Sequence, residues 1–165
     1  MKRYAAIFVV AVAALAAAPA AVGDRPVREA LPAGPFTLDA SVCGFAVDVT
    51  LPTNNEFITT FSSGKQIITG SLFATLTNAE TQKSITVNIS GPGTIVTDAN
   101  GITTFTLTGR SLFFFAPGQL GPGEPGMLIL TSGPATLVFD QGGNILSFDR
   151  TSASVQDLCA VLASP

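Results

Sequence analysis

Histidine is absent from all 165 residues, tryptophan is absent too, and the single tyrosine, Tyr4, stands in the first few positions. Without histidine there is no Ser-His-Asp or Cys-His relay and none of the common zinc ligand sets. Charge is also scarce: Asp, Glu, Lys and Arg together make up 12% of the chain, with eight basic and eleven acidic residues. The basic residues are scattered, so nothing forms the electropositive footprint that nucleic acid or anionic lipid selects. No G-x-x-x-x-G-K phosphate loop occurs, and the glycines of 118–126 stand among prolines instead of opening a helix. The sequence therefore implies no cofactor and no metal.

The N-terminus reads as an export signal. Lys2 and Arg3 precede an apolar run from Tyr4 to Ala18, followed by the small residues Ala18-Pro19-Ala20. That run is shorter than the roughly 20 residues a membrane-spanning helix needs, and no Cys follows it to carry a lipid. We expect a cleavable signal peptide over 1–20, a secreted product, and a flexible lead-in over 21–34 that holds Pro26 and Pro32. Loss of Lys2 and Arg3 with the leader takes the net charge from −3 to −5.

Two cysteines, Cys43 and Cys159, stand 116 positions apart. In an oxidising compartment one pair has one intramolecular connectivity, and closing such a loop is worth about 4 to 5 kcal/mol in the chain-entropy account. The alternatives are two buried thiols or a reactive thiol, and the latter lacks a histidine base.

From Pro35 onward, short alternating runs rich in Thr, Val, Ile and Phe are separated by turn residues, the pattern of antiparallel strands. Eleven candidates result: Phe36 to Ala40, Cys43 to Leu51, Phe57 to Phe61, Ile67 to Thr77, Ser84 to Ser90, Thr94 to Thr97, Ile102 to Thr108, Ser111 to Phe115, Met127 to Thr131, Ala135 to Asp140 and Asn144 to Arg150. Thr104, Thr106 and Thr108, for example, oppose Phe105 and Leu107. Val155, Leu158, Cys159 and Leu162 also fit helical spacing, with Ser152 or Ser154 as the cap. The reading is one all-β domain over 35–165, an antiparallel meander. A disulfide between its first strand and last segment would bring the ends of that meander together, so a closed up-and-down barrel is preferred over a two-sheet β-sandwich.

Candidate site residues are few. Asp48 faces away from Val47 and Val49 and could serve as an acid or base if that face lined a barrel; the plainer reading is a solvated charge. Glu56 is a second such carboxylate. Asp140 and Asp149 flank the Gly142-Gly143 turn without a pocket, and Arg110 occupies an apparent Gly-Arg turn. Leu112 to Phe115 and Met127 to Leu130 are apolar at both parities. Either a second layer covers their outer side, or Phe113, Phe115, Leu128 and Leu130 present a surface for a hydrophobic ligand or partner. The loop from Ala116 to Gly126, stiff at its prolines and free at its glycines, lies between them.

The segments Val42-Cys43-Gly44-Phe45, Thr86-Val87-Asn88-Ile89-Ser90-Gly91-Pro92-Gly93 and Asp157-Leu158-Cys159, together with the signal, resemble a group of small secreted actinobacterial proteins of uncharacterised function. That resemblance implies export and a β domain and brings no catalytic residue. The barrel expectation is similar in architecture to allene oxide cyclase and lipocalins, an analogy of fold alone. Three functions follow as expectations: a module binding a hydrophobic small molecule or a cell-envelope component, a structural surface protein without ligand, and a cyclase- or isomerase-like enzyme using Asp48 or Glu56.

Overall fold

The computed structural model describes residues 25–164, so the expected signal peptide over 1–20 and positions 21–24 of the expected lead-in lie outside the described residues. In chain order the elements are β1 (Val27–Ala30), β2 (Phe36–Leu38), α1 (Ala40–Cys43), β3 (Val47–Asn54), β4 (Phe57–Thr60), β5 (Gln66–Thr69), β6 (Leu72–Asn78), β7 (Ser84–Asn88), β8 (Gly93–Thr97), β9 (Thr103–Leu107), β10 (Arg110–Phe115), β11 (Met127–Ser132), β12 (Ala135–Phe139), β13 (Ile145–Asp149), β14 (Ser154–Asp157) and α2 (Leu158–Ala163). All strand pairs are antiparallel, as the alternation predicts.

The strands form three sheets and, among the described residues, no closed barrel: β1-β4-β5-β8-β9-β12-β13, β2-β3-β6-β7 and β10-β11-β14. The barrel expectation fails because several long arms turn corners between sheets. β3 with β4 and β5 with β6 make one long two-stranded ribbon. Asn54 pairs with Leu72, Phe57 pairs with Thr69, and Asn55 N donates to Ser71 O at 2.9 Å, which carries the ladder through the bend. At Gly70, φ is +142°, and a Cβ there would collide with the Asn55 carbonyl, so this corner requires glycine. β9 passes to β10 and β11 to β12 through similarly tight corners, where Gly133 N donates to Gly109 O at 2.8 Å.

These corners stack the sheets. Val47, Val49, Ala74 and Leu76 of the four-stranded sheet meet Leu128 and Leu130 of β11, with Leu158 and Leu162 of α2 completing that core. On the other side of the same small sheet, Phe113, Phe115 and Ile129 meet Ala135 and Leu137 of β12, with Phe105 and Phe148 against them. Strands β10 and β11 of the three-stranded sheet are thus a middle layer, covered on both sides, while β14 at its edge stays exposed. The arrangement is layered like a sandwich, closer to the alternative architecture than to the preferred one.

Three further expectations are corrected. Residues 27–30 of the lead-in form an edge strand along β4. Its residues are all exposed, so no apolar alternation marked it. Cys43 ends a helical turn instead of starting a strand: Asp39 caps α1 by accepting from Ser41 N at 2.8 Å, and Gly44 at φ +84° closes it. The C-terminal helix forms, but Asp157 caps it, accepting from Ala160 N at 3.1 Å, because 154–157 continue as β14. The Cys43–Cys159 disulfide joins α1 to α2 with Cα atoms 5.1 Å apart. Proximity of the cysteines thus reflects two packed helical turns and implies nothing about strand closure. Among the described residues no helix is long and apolar enough to cross a membrane.

Candidate functional site

The four apolar candidates are core residues. Phe113 and Phe115 are 6% and 4% exposed and pack at a tilt against Phe148 at ring separations of 4.8 and 5.0 Å, while Leu128 and Leu130 are 0% and 4% exposed on the opposite side of the sheet. Apolarity at both parities here means two covering layers, and it leaves these residues no free surface. Asp48 is exposed on the outer face of the four-stranded sheet, where its Oδ1 accepts the Thr37 hydroxyl at 2.7 Å. It lies in an open groove of about 390 Å³ with Phe36, Thr37 and Thr50. Glu56 is not in that groove; it is half-buried at the β3–β4 corner, and burial pushes its carboxyl above the usual value.

Other carboxylates serve their own turns. Asp140 accepts from Gly142 N, Asn144 N and Asn144 Nδ2, each at 2.8 Å, and the bond from the Asn144 side chain leads in holding its pKa down. Asp149 accepts from Thr151 N and Oγ1 at 3.0 and 2.9 Å and is likewise lowered, first by the backbone bond. Arg110 opens β10 and donates from Nε to Asn88 O at 3.2 Å, linking the edges of two sheets. Asp140 and Asp149 are thus employed separately.

Two features escape the sequence reading. The first is an open cleft of about 530 Å³ beside the disulfide, lined by Val42, Pro125, Met127, Ile129, Arg150 and Asp157. Its parts come from α1, the long loop, β11 and the approach to α2, so no local motif announces it. The loop itself folds back on Gly118, whose N donates to Glu124 O at 2.9 Å, and Gly126 abuts α1.

The second is the outer face of the seven-stranded sheet. Its register aligns Arg28, Thr59, Ile67, Thr94, Thr106, Thr136 and Asp149 in one row across all seven strands. Val96, Thr104, Val138 and Ser147 form a parallel row. Charge stands at the two ends only; the five positions between are hydroxyl or aliphatic. At about 4.8 Å between strands these five span roughly 19 Å. None of them belongs to either core, since the opposite face of β9 and β12 carries Phe105, Leu107, Ala135 and Leu137 into the second one. The Thr104-Phe105-Thr106 alternation was visible in the sequence; its alignment with Thr94 and Thr136 was not.

The chain matches no family model, no curated protein and no solved structure. No residue role therefore carries over from another protein, and the arrangement itself is the guide. Among the described residues no three or more Cys, Asp or Glu side chains are grouped so as to hold a metal ion. The face differs chemically from the outer side of the four-stranded sheet. There the hydroxyls satisfy one another, Thr75 with Thr86 at 2.8 Å and Thr77 with Ser84 at 2.6 Å, and Asp48 adds charge.

Proposed function

We propose that this is an exported, non-catalytic recognition module that lies against a neutral polysaccharide of the cell envelope through the outer face of its seven-stranded sheet. The observation that carries this reading is the uncharged row Thr59, Ile67, Thr94, Thr106 and Thr136, five adjacent strands wide. Threonine offers a hydroxyl that both donates and accepts, beside a methyl group. A row of them suits a repeating neutral partner that presents hydroxyls and C–H faces; an ionic partner would gain nothing there. Each contact is weak, and a repeat sums them. The disulfide-bonded domain is compatible with an oxidising exterior, and secretion by the signal peptide and kinship with small secreted actinobacterial proteins belong to the same proposal.

The cyclase-like reading required Asp48 or Glu56 inside a barrel, and the exposure of Asp48 gives it no support. Retention of the mature protein on insoluble envelope polysaccharide, washed with salt, tests the proposal. Retention should be salt-insensitive, because no exposed ion pair is involved. Thr94→Lys with Thr106→Lys should lower it at least ~10-fold by placing two unpaired cations in the contact, whereas Thr75→Lys on the other sheet should not. Equal retention of both variants would refute the assignment of the face.

A further inference from the structure

We infer that the cleft beside the Cys43–Cys159 disulfide is a small-molecule site whose specificity residue is Arg150, and that its ligand is an amphiphile with a single carboxylate head. Among the described residues the cleft lining contains one cation, Arg150, and one carboxylate, Asp157. Arg150 is half-buried and held by two uncharged partners: its guanidinium carbon sits 5.1 Å from the Phe148 ring centroid, and Nη1 donates to Met127 Sδ at 3.3 Å. A thioether is a weak acceptor, and guanidinium has five N–H donors. Neither neighbouring carboxylate is spent on it: Asp149 accepts twice from Thr151, and Asp157 caps α2. The fork therefore rests between Phe148 and Met127 with donors left to match a carboxylate in two-pronged fashion.

The remaining walls are mixed. Val42, Pro125 and Met127 give them apolar side chains, and Ser41, Gly44 and Gly126 bring in small polar and backbone groups. Gly126 lies so close to α1 that a Cβ would sit 2.5 Å from Ser41 O and 2.7 Å from Val42 Cα, and the disulfide pins α1 to α2. An acidic head on Arg150 with an aliphatic body along Val42, Pro125 and Met127 uses both kinds of lining. Asp157 on the same wall disfavours a dianionic head such as a phosphate monoester, which selects the monoanion.

The probes are octanoate and 1-octanol, followed by NMR at the Met127 methyl and the Arg150 Nε–H of the mature, oxidised protein. Octanoate should give saturable shifts at both groups below about 1 mM, and octanol should bind at least ~10-fold more weakly; octyl phosphate should also be weaker than octanoate. Arg150→Lys keeps the charge and the stacking stem but loses the fork, and should weaken octanoate binding by ~10-fold while leaving polysaccharide retention unchanged. That last readout separates this site from the sheet face. Absence of saturable octanoate binding, equal binding of octanol, or undiminished binding by a folded Arg150→Lys protein would overturn the proposal and leave Arg150 as a stem that covers Phe148.

Discussion

Replacement of both cysteines, Cys43→Ser with Cys159→Ser, measures how strongly the disulfide supports the layered fold. The bridge closes a span of 116 positions, for which the loop-entropy relation gives about 4.8 kcal/mol at 25 °C. Native strain and residual order in the unfolded chain reduce such figures, so a loss of about 3 to 5 kcal/mol is expected. The location argues for the upper part of that range. The bridge fastens α2 directly after Leu158, and both Leu158 and Leu162 are 0% exposed in the first core. Urea denaturation at neutral pH is the assay. With a slope of about 1 to 3 kcal/mol per molar, the midpoint should fall by roughly 2 M, with a somewhat steeper slope because the untethered unfolded chain exposes more surface. A loss below about 1 kcal/mol would refute the reasoning, since it would mean that α2 docks equally well without the tether.

Phe113→Ala and Leu128→Ala, on opposite sides of the middle sheet, should each cost about 3 to 5 kcal/mol, read by the same denaturation; a cost under about 1 kcal/mol for either would mean that its side of the sheet is uncovered. Ser111 Oγ is buried without a hydrogen-bond partner among the described residues, so Ser111→Ala should be neutral or stabilising by up to about 1 kcal/mol, and clear destabilisation would contradict this. Acid and base should act in opposite directions. Asp39, Asp140 and Asp149 are held below their ordinary value of 3.8, led respectively by the Ser41 backbone bond, the Asn144 side-chain bond and the Thr151 backbone bond. The stability they add is present above pH 3.8 and is lost as pH falls below it. Glu56, raised above 4.5 by burial, ionises more readily in the unfolded chain, so stability declines as pH rises from 4.5 toward the raised value. The advantage of Glu56→Gln over the native protein should therefore grow from pH 4 to pH 7, and an advantage independent of pH would refute that account.

Strand positions were largely legible because period-two patterns such as Ile85, Val87 and Ile89 encode a half-buried strand directly. The disulfide followed from the cysteine count together with the expectation of export. Sheet membership was not legible, because the corner at Asn55 and Gly70 looks in sequence like any strand end, and it decides whether β4 lies beside β3 or continues it into another sheet. For the same reason the two-sided apolarity of Phe113 to Phe115 admitted both a second layer and a free surface, and the first proved correct. Neither the threonine row nor the Arg150 cleft could be read beforehand. Thr94, Thr106 and Thr136 become neighbours through cross-strand register alone, and Arg150 meets Met127 only after β11 and the end of β13 come together.

NMR titration of the mature protein with a soluble fragment of neutral envelope polysaccharide, followed at the threonine methyls, tests the proposed function most directly. The proposal predicts shifts concentrated at Thr59, Thr94, Thr104, Thr106 and Thr136, with Thr75 and Thr86 unaffected. Shifts confined to the four-stranded sheet, or none at any concentration of the fragment, would contradict it.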